Sequence, residues 1–451
     1  MGMWSSPEHS GLKDSISLNR IAVLSVHTCP MAHMGGPKTG GMNVYIRDIV
    51  CAMGKLGIGV DVFTRFQEGC QPNTEHDLGY GSRIVHIPCG PSTPIPVAEL
   101  VNYLDEFTEG VYGFAAKNKI TYDLIHSHYW LSGIVAKQLS SRWGRLPTIH
   151  MFHTLGHMKN EVALSPAHRA PQSRLRGEKE VIENVDMLIA ATPAEQEQLT
   201  RLYDAPLERI RVVPPGVALG RFQLVSQTEA RQRLGLPANQ KSILFVGRIE
   251  PLKGIETLLH AAWLLQSRHA DVLLPFAVTI VGGKPDALIL DEEMARLQDL
   301  QYRLGLCDIV HFVGAKAQSA LPDYYAAADV VVMPSHYESF GMVALEAMAM
   351  GTPVVASNVG GLAHLVRHGE TGFHIPAQDA ESLASRLFEL LMDDSYRTVL
   401  AGQARNYATY YGWDRIAEEM RHIYQEAIMA QKDRLIQNNG IAQPDVLEST
   451  P

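Results

Sequence analysis

The sequence predicts an α/β protein of two doubly wound parallel sheets that face each other across a cleft. Short apolar runs alternate with helix-length stretches, the rhythm of parallel strands joined by crossover helices. The rhythm occurs twice, and Pro214-Pro215-Gly216 with the polar run to Gln227 separates the two series. A chain of 451 residues, 46% hydrophobic and 19% charged, has material for two full cores.

Residues 1–18 are polar and serine-rich and read as a loose arm. The first domain, 19–222, opens with a strand over 21–26, then helix 43–56, strands 60–63 and 84–88, helix 97–117 and strand 124–127. Strand 148–152, helix 172–184, strand 187–190, a helix from Ala194 and strand 210–213 complete it. The second domain, 223–410, carries strand 243–246, helix 255–267, strand 278–281, helix 292–304, strand 309–313, helix 321–327 and strands 330–333 and 354–356. A helix comes next over 411–430, and the polar stretch 431–451, with Gln437-Asn438-Asn439-Gly440, reads as a disordered tail.

A net charge of −9 gives no basic footprint for nucleic acid. The five cysteines are scattered without C-x-x-C spacing, as reduced thiols of a cytoplasmic protein would be. No apolar stretch reaches the length of a membrane span, so no stable membrane anchor is expected.

Chemistry concentrates where predicted strands end and helices begin. In Ser335-His336-Tyr337-Glu338-Ser339-Phe340-Gly341-Met342, after strand 330–333, Glu338 sits on the loop, and Glu346 lies about two turns inside the helix. One carboxylate can face a polyol and the other a ribose, while the amides at Phe340, Gly341 and Met342 hold phosphate. Arg248 and Lys253, in Gly247-Arg248-Ile249-Glu250-Pro251-Leu252-Lys253-Gly254, lie just beyond strand 243–246, where two cations can neutralise a diphosphate without a metal. Lys38-Thr39-Gly40-Gly41-Met42-Asn43-Val44-Tyr45 opens the first helix, and its glycines let backbone approach a ligand.

With these three loops the chain resembles the retaining glycosyltransferases of the GT-B fold, family 4, over about residues 20–430. Within the family it is most similar to the sucrose-phosphate synthases, and also similar to the enzymes that move N-acetylglucosamine onto inositol phosphate in mycothiol synthesis. The resemblance implies that helix 411–430 crosses back to the first domain. It also implies a metal-independent, retaining glucosyl transfer from UDP-glucose to a sugar phosphate, fructose 6-phosphate first, with no added cofactor. A phosphatase acting on the product is an implied partner.

The implied donor contacts are Gly41, Arg248, Lys253, Val313, Gly314, Glu338, Phe340, Gly341, Met342 and Glu346. Val313 and Gly314 would meet the base through backbone. His126-Ser127-His128-Tyr129-Trp130 and His150-Met151-Phe152-His153-Thr154 end two successive strands, and their histidines suit hydrogen bonding better than metal ligation. Relatives set the residue matching His153 over the transferred sugar, so His153, Arg248, Lys253 and Glu338 are the implied catalytic set. The implied acceptor contacts are Lys38, Gly40, Gly41, Asn43, Tyr129, Thr154, Lys159, Arg174 and Arg176, with an arginine of Arg174-Leu175-Arg176 on the acceptor phosphate. One departure stands out: relatives keep a lysine in the segment aligned with residues 95–99, and Ile95-Pro96-Val97-Ala98-Glu99 has none. Either Lys38 or Lys159 replaces it, or the acceptor binds differently.

Rival readings are N-acetylglucosaminyl transfer to inositol phosphate, a sugar-nucleotide 2-epimerase of similar fold, and a two-domain solute-binding protein. The last would call for a secretory leader, and none is legible before Ile21.

Overall fold

A computed structural model describes residues 17–32, 40–68, 75–163, 165–166, 169–269, 275–285, 287 and 290–439. The expected arm, except for Ser17 and Leu18, and Lys38 lie outside the described residues. In chain order, the first sheet is built from β1 (Arg20–Leu24), α1 (Gly41–Lys55), β2 (Gly59–Arg65), β3 (Glu75–Gly79), β4 (Ser82–Ile87), α2 (Leu104–Asn118) and β5 (Leu124–His128). It continues through α3 (Trp130–Arg142), β6 (Thr148–Met151), α4 (Gly156–Glu161), α5 (Gln172–Asn184), β7 (Met187–Ala190), α6 (Pro193–Tyr203) and β8 (Ile210–Val212). The strand order is β3-β4-β2-β1-β5-β6-β7-β8, parallel except for the edge strand β3, which is antiparallel to β4.

The second half runs α7 (Gln227–Leu234), β9 (Lys241–Val246), α8 (Ile255–His269), β10 (Phe276–Val281), α9 (Glu292–Arg303), β11 (Val310–Phe312), α10 (Leu321–Ala327), β12 (Val330–Met333) and α11 (Met342–Ala349). It ends with β13 (Val354–Ser357), α12 (Leu362–Leu365), β14 (Gly372–Ile375), α13 (Ala380–Met392), α14 (Asp394–Ala408) and α15 (Trp413–Asn439). Its sheet has the order β11-β10-β9-β12-β13-β14. Strand order therefore reverses beside β1 in one sheet and beside β9 in the other, and the crevice at such a reversal is where open α/β sheets take ligands.

Two apolar clusters fill the outer face of each sheet, one around Phe63, Phe107 and Leu131, the other around Phe245, Leu258 and Leu387. A third runs from Tyr45 and Ile46 of α1 through Tyr424 and Met420 of α15 to Leu345 and Met348 of α11, so the crossing helix shares its core with both halves. At about 1.5–3 kcal/mol for each large apolar side chain buried, that contact keeps α15 docked.

The structure differs from the sequence reading in several elements. The expected helix over 97–117 is a 3₁₀ turn, Val97–Tyr103, followed by α2. Edge strand β3 and strand β14 were not expected. The former, Glu-His-Asp-Leu-Gly, lacks the apolar run of its neighbours. α15 does not stop at 430: Gln431 Nε2 donates to the Arg145 carbonyl at 2.7 Å and Arg434 pairs with Asp186 at 2.7 Å, which carries the helix to Asn439. The residues after Asn439 lie outside the described ones. Chain passage between the halves is double and adjacent, since the Val217 N–H donates to the Tyr411 carbonyl at 2.7 Å.

Candidate functional site

The loops expected to hold the donor gather at the carboxyl ends of β9 and β12. Arg248 Nη1 donates to Glu250 Oε1 at 2.5 Å, and Lys253 Nζ donates to Glu338 Oε2 at 2.6 Å; all four side chains keep some exposure. The Glu338 loop is braced from two sides: the His336 N–H donates to the Leu252 carbonyl at 2.8 Å, and the Gly361 N–H to the Glu338 carbonyl at 2.8 Å. Gly360 has φ 47°, and a Cβ there would strike that same Glu338 carbonyl, so only glycine lets the brace form. Phe340 is buried with Tyr411 beside it, and α11 begins at Met342 behind Gly341, with first-turn amides that have no partner inside the helix. After β11, the Val313 N–H bonds to the Ile280 carbonyl, and the Gly314 carbonyl accepts from the Gly282 N–H.

Glu346 is not an open carboxylate. It lies 6% exposed on the inner side of α11, accepting from Tyr325 Oη at 2.7 Å and Gln318 Nε2 at 3.2 Å. Burial pushes its carboxyl up to about 7, although both hydrogen bonds pull the other way. The Gln318 amide oxygen accepts from Arg47 of α1, whose neighbour Asp48 pairs with Arg221 at 3.1 Å. A polar chain thus crosses from the first half to the expected ribose residue.

Among the residues expected to hold the acceptor, the structure separates two arginines that the sequence could not. Arg174 is buried: its Nε donates to Glu178 Oε1 at 2.8 Å and its Nη2 to the Thr154 carbonyl and Oγ1 at 2.8 and 3.1 Å. Its guanidinium also lies 5.1 Å from the centre of the Tyr129 ring. Glu178, fully buried, in turn accepts from the Gly156 N–H and from Tyr203. Arg176 lies two residues on along the same helix and is exposed, away from this network. Lys159 is half-buried; burial lowers its ammonium pKa, and Arg174 and Arg248 lower it further while Glu250 opposes them. Lys159 therefore feels the charge of Arg174 in its own half and of Arg248 in the other.

Asn43 is committed internally. Its amide donates to Thr28 Oγ1 and the Cys29 carbonyl, both at 2.8 Å, and its Oδ1 accepts from the Gly40 N–H, so it shapes the glycine loop and has little left for a ligand. Gly41 allows the two halves to approach there: a Cβ would come 3.3 Å from Met342 Sδ.

Two strand ends carry residues in the left-handed region, Tyr129 (φ 69°) after β5 and His153 (φ 62°) after β6. Such backbone costs a non-glycine residue about 1–3 kcal/mol and persists only where surroundings impose it. His153 Nε2 meets His128 Nδ1 at 3.0 Å, and burial brings the His153 pKa down to about 3, so the ring is neutral. His126 likewise falls to about 3 and meets Tyr424 Oη of α15 at 2.7 Å. His150 bonds Ser127 on the opposite face of the sheet. Among the described residues, no three His, Cys, Asp or Glu side chains are grouped to hold a metal.

Sequence reasoning missed Gln318 and Arg47, and it assigned no partner to Glu178 or His128. A signal existed for the latter two: Arg174 and Glu178 have the i, i+4 spacing of a helical ion pair, and His126 and His128 have the period-two spacing of one strand face.

Residues 39–221 match the family model described as "Glycosyltransferase Family 4", and residues 226–407 the one described as "Glycosyl transferases group 1". A D-inositol 3-phosphate glycosyltransferase of Saccharomonospora viridis is 41% identical over 93% of this chain and 97% of its own. One from Thermobispora bispora is 39% identical over 91% of this chain and 95% of its own. Among solved structures, the sucrose-phosphate synthase of Thermosynechococcus elongatus superposes with a TM-score of 0.83 and 36% identity, over 91% of this chain and all of that one. Two parallel-sheet domains, loops of this composition at both strand-order reversals, and relatives of this identity over nearly the whole length lead to one conclusion: the chain belongs to glycosyltransferase family 4, with the GT-B fold, and is a hexosyltransferase.

Proposed function

We propose that this enzyme moves a sugar from a nucleoside diphosphate to a phosphorylated polyol, with inositol phosphate as the first acceptor to consider and fructose 6-phosphate the second. The observation that carries the reading is the pair of cationic groups on the two sides of the cleft: Arg174 with Lys159 on one side, Arg248 with Lys253 on the other. One suits a phosphate that stays on the acceptor, the other a diphosphate that leaves. Relatives named for inositol 3-phosphate at 39–41% identity support the acceptor order, the reverse of what the motifs alone imply. The sucrose-phosphate synthase neighbour at 36% keeps fructose 6-phosphate as the second reading.

In this reading Arg248 and Lys253 stabilise charge growing on the leaving diphosphate, the electrostatic contribution that is usually largest in such transfers. Lys253 exchanges its Glu338 partner for phosphate as Glu338 turns to the sugar hydroxyls. First-turn amides of α11 add to the same phosphates. Attack on the face the leaving group departs from, with the diphosphate accepting the acceptor's proton, retains configuration and needs neither an enzyme nucleophile nor a metal. UDP-glucose and UDP-N-acetylglucosamine are the donors to compare. Incubating the enzyme with each donor and with inositol 3-phosphate, fructose 6-phosphate and their unphosphorylated forms, and weighing the products, tests it. Transfer to the free polyols with equal kcat/KM would remove the phosphate site, and donor conversion without any acceptor would favour the epimerase.

A further inference from the structure

His153 is held at a positive φ of 62°, uncommon outside glycine, and among the described residues its ring has one hydrogen-bond contact, His128 Nδ1 at 3.0 Å. The rest of its setting is aromatic: Tyr45 meets it edge-on with ring centres 5.1 Å apart, and Tyr45 is itself wedged between His128 and Trp413 of α15. Behind His128, on the same strand face, His126 lies with ring centres 4.2 Å apart and is tied by Nδ1 to Tyr424 of α15. His128 is fully buried, and among the described residues its Nε2 has no hydrogen-bond partner. Were His128 Nδ1 the acceptor, the neutral ring would carry its proton on that unpartnered nitrogen, leaving a buried orphan donor, the rarer kind of defect in folded proteins. With the proton on Nδ1, His128 donates to His153 Nε2 and fixes the proton of His153 on its own Nδ1.

We propose that His128 is a positioning residue for the transfer, holding His153 in a single tautomer that presents an Nδ1–H donor to the donor sugar. The inference rests on His153 facing that sugar, and it adds a role for the crossing helix, which backs the histidine column through Tyr424 and Trp413. On this assignment His128 acts only through His153.

The decisive comparison uses two amides. Asn at 128 puts its NH₂ near the position of Nδ1, whereas Gln puts it near Nε2. His128→Asn should keep kcat within about three-fold of wild type, while His128→Gln should lose ten-fold or more with acceptor KM unchanged. Equal activities would overturn the proposal. His128→Gln in a His153→Ala background should cost nothing further, and an additive loss would mean a merely structural role. ¹⁵N chemical shifts of selectively labelled histidine should report His153 as the Nδ1–H tautomer in wild type, and the Nε2–H tautomer would sink the assignment. If His153→Ala alone leaves transfer untouched, the sugar-facing reading of His153 fails instead. That outcome differs from one in which His153 matters and His128 does not.

Discussion

Arg174 and Lys253 are both cations facing the same cleft, yet they are held in opposite ways. Arg174 is 7% exposed and spends three hydrogen bonds on Glu178 and Thr154, with Tyr129 under its plane. Lys253 has one ion pair, with Glu338, and both side chains remain about a fifth exposed. A locked guanidinium meets a ligand phosphate equally well before and during reaction, so it contributes to ground-state binding. A cation that can change partners is free to follow charge as it moves onto a leaving group. Under the proposed function, that difference assigns selection to the acceptor side and acceleration to the donor side.

The largest effect expected tests the donor half of that contrast. Lys253→Ala or Arg248→Ala should lower kcat by about 100-fold or more, on the order of 3 kcal/mol, without changing thermal stability by more than a few degrees. Turnover near wild type in both variants would take the clamp out of the mechanism. Next in size is the acceptor half: Arg174→Lys should raise the acceptor KM roughly 10- to 100-fold with kcat and the donor KM little changed, because losing a charge-assisted contact costs about 1.5–3 kcal/mol. Lysine is the better probe than alanine, since it leaves a positive charge beside buried Glu178. Arg176→Ala should be indistinguishable from wild type, and steady-state kinetics with both substrates would show whether the two arginines have been sorted correctly.

Much of this is legible in the sequence. Strands flanked by helices are readable wherever the apolar run is continuous, and the ligand loops stand out as polar, glycine-bearing segments at the carboxyl ends of those runs. The features that are not legible depend on contacts distant in sequence or on backbone conformation. Glu346 looks like an open ribose carboxylate because its partners Gln318 and Tyr325 come from another loop and helix, and the Arg47 that holds Gln318 comes from the other half of the chain. Left-handed backbone at Tyr129 and His153 has no glycine or asparagine to announce it. The helix Trp130–Arg142 escapes a reading by periodicity because it is buried on one side by the sheet and on another by α5, which blurs its apolar stripe.

A smaller effect separates stability from activity on the donor side. Glu346 has a folded-state pKa raised to about 7 from an ordinary 4.5, so the folded protein binds its proton more tightly than the unfolded chain. Stability from this group is complete below about pH 4.5 and is lost as pH rises through 7, amounting to roughly 2 kcal/mol between pH 5 and 7. Glu195, raised by burial to about 7 as well, adds a slope of the same sign. Glu346→Gln should therefore flatten, without abolishing, the fall in Tm between pH 5 and 7. An unchanged slope would mean that the carboxyl is already ionised in the folded enzyme.

The smallest effect expected is none at all, and it bears hardest on the contrast between the two cations. If Lys253 and Arg248 can leave Glu338 and Glu250 for the diphosphate, the leaving group receives two positive charges and the amides at the start of α11, which is the neutralisation a divalent ion would otherwise supply. Initial rates measured in excess EDTA should then match those without it, at every donor concentration. A rate that collapses with chelator and returns with Mg²⁺ or Mn²⁺ would mean that the cations stay with their carboxylates during the reaction. In that event Lys253 would be as fixed as Arg174, and the division into a selecting half and an accelerating half would have to be drawn from the metal rather than from the side chains.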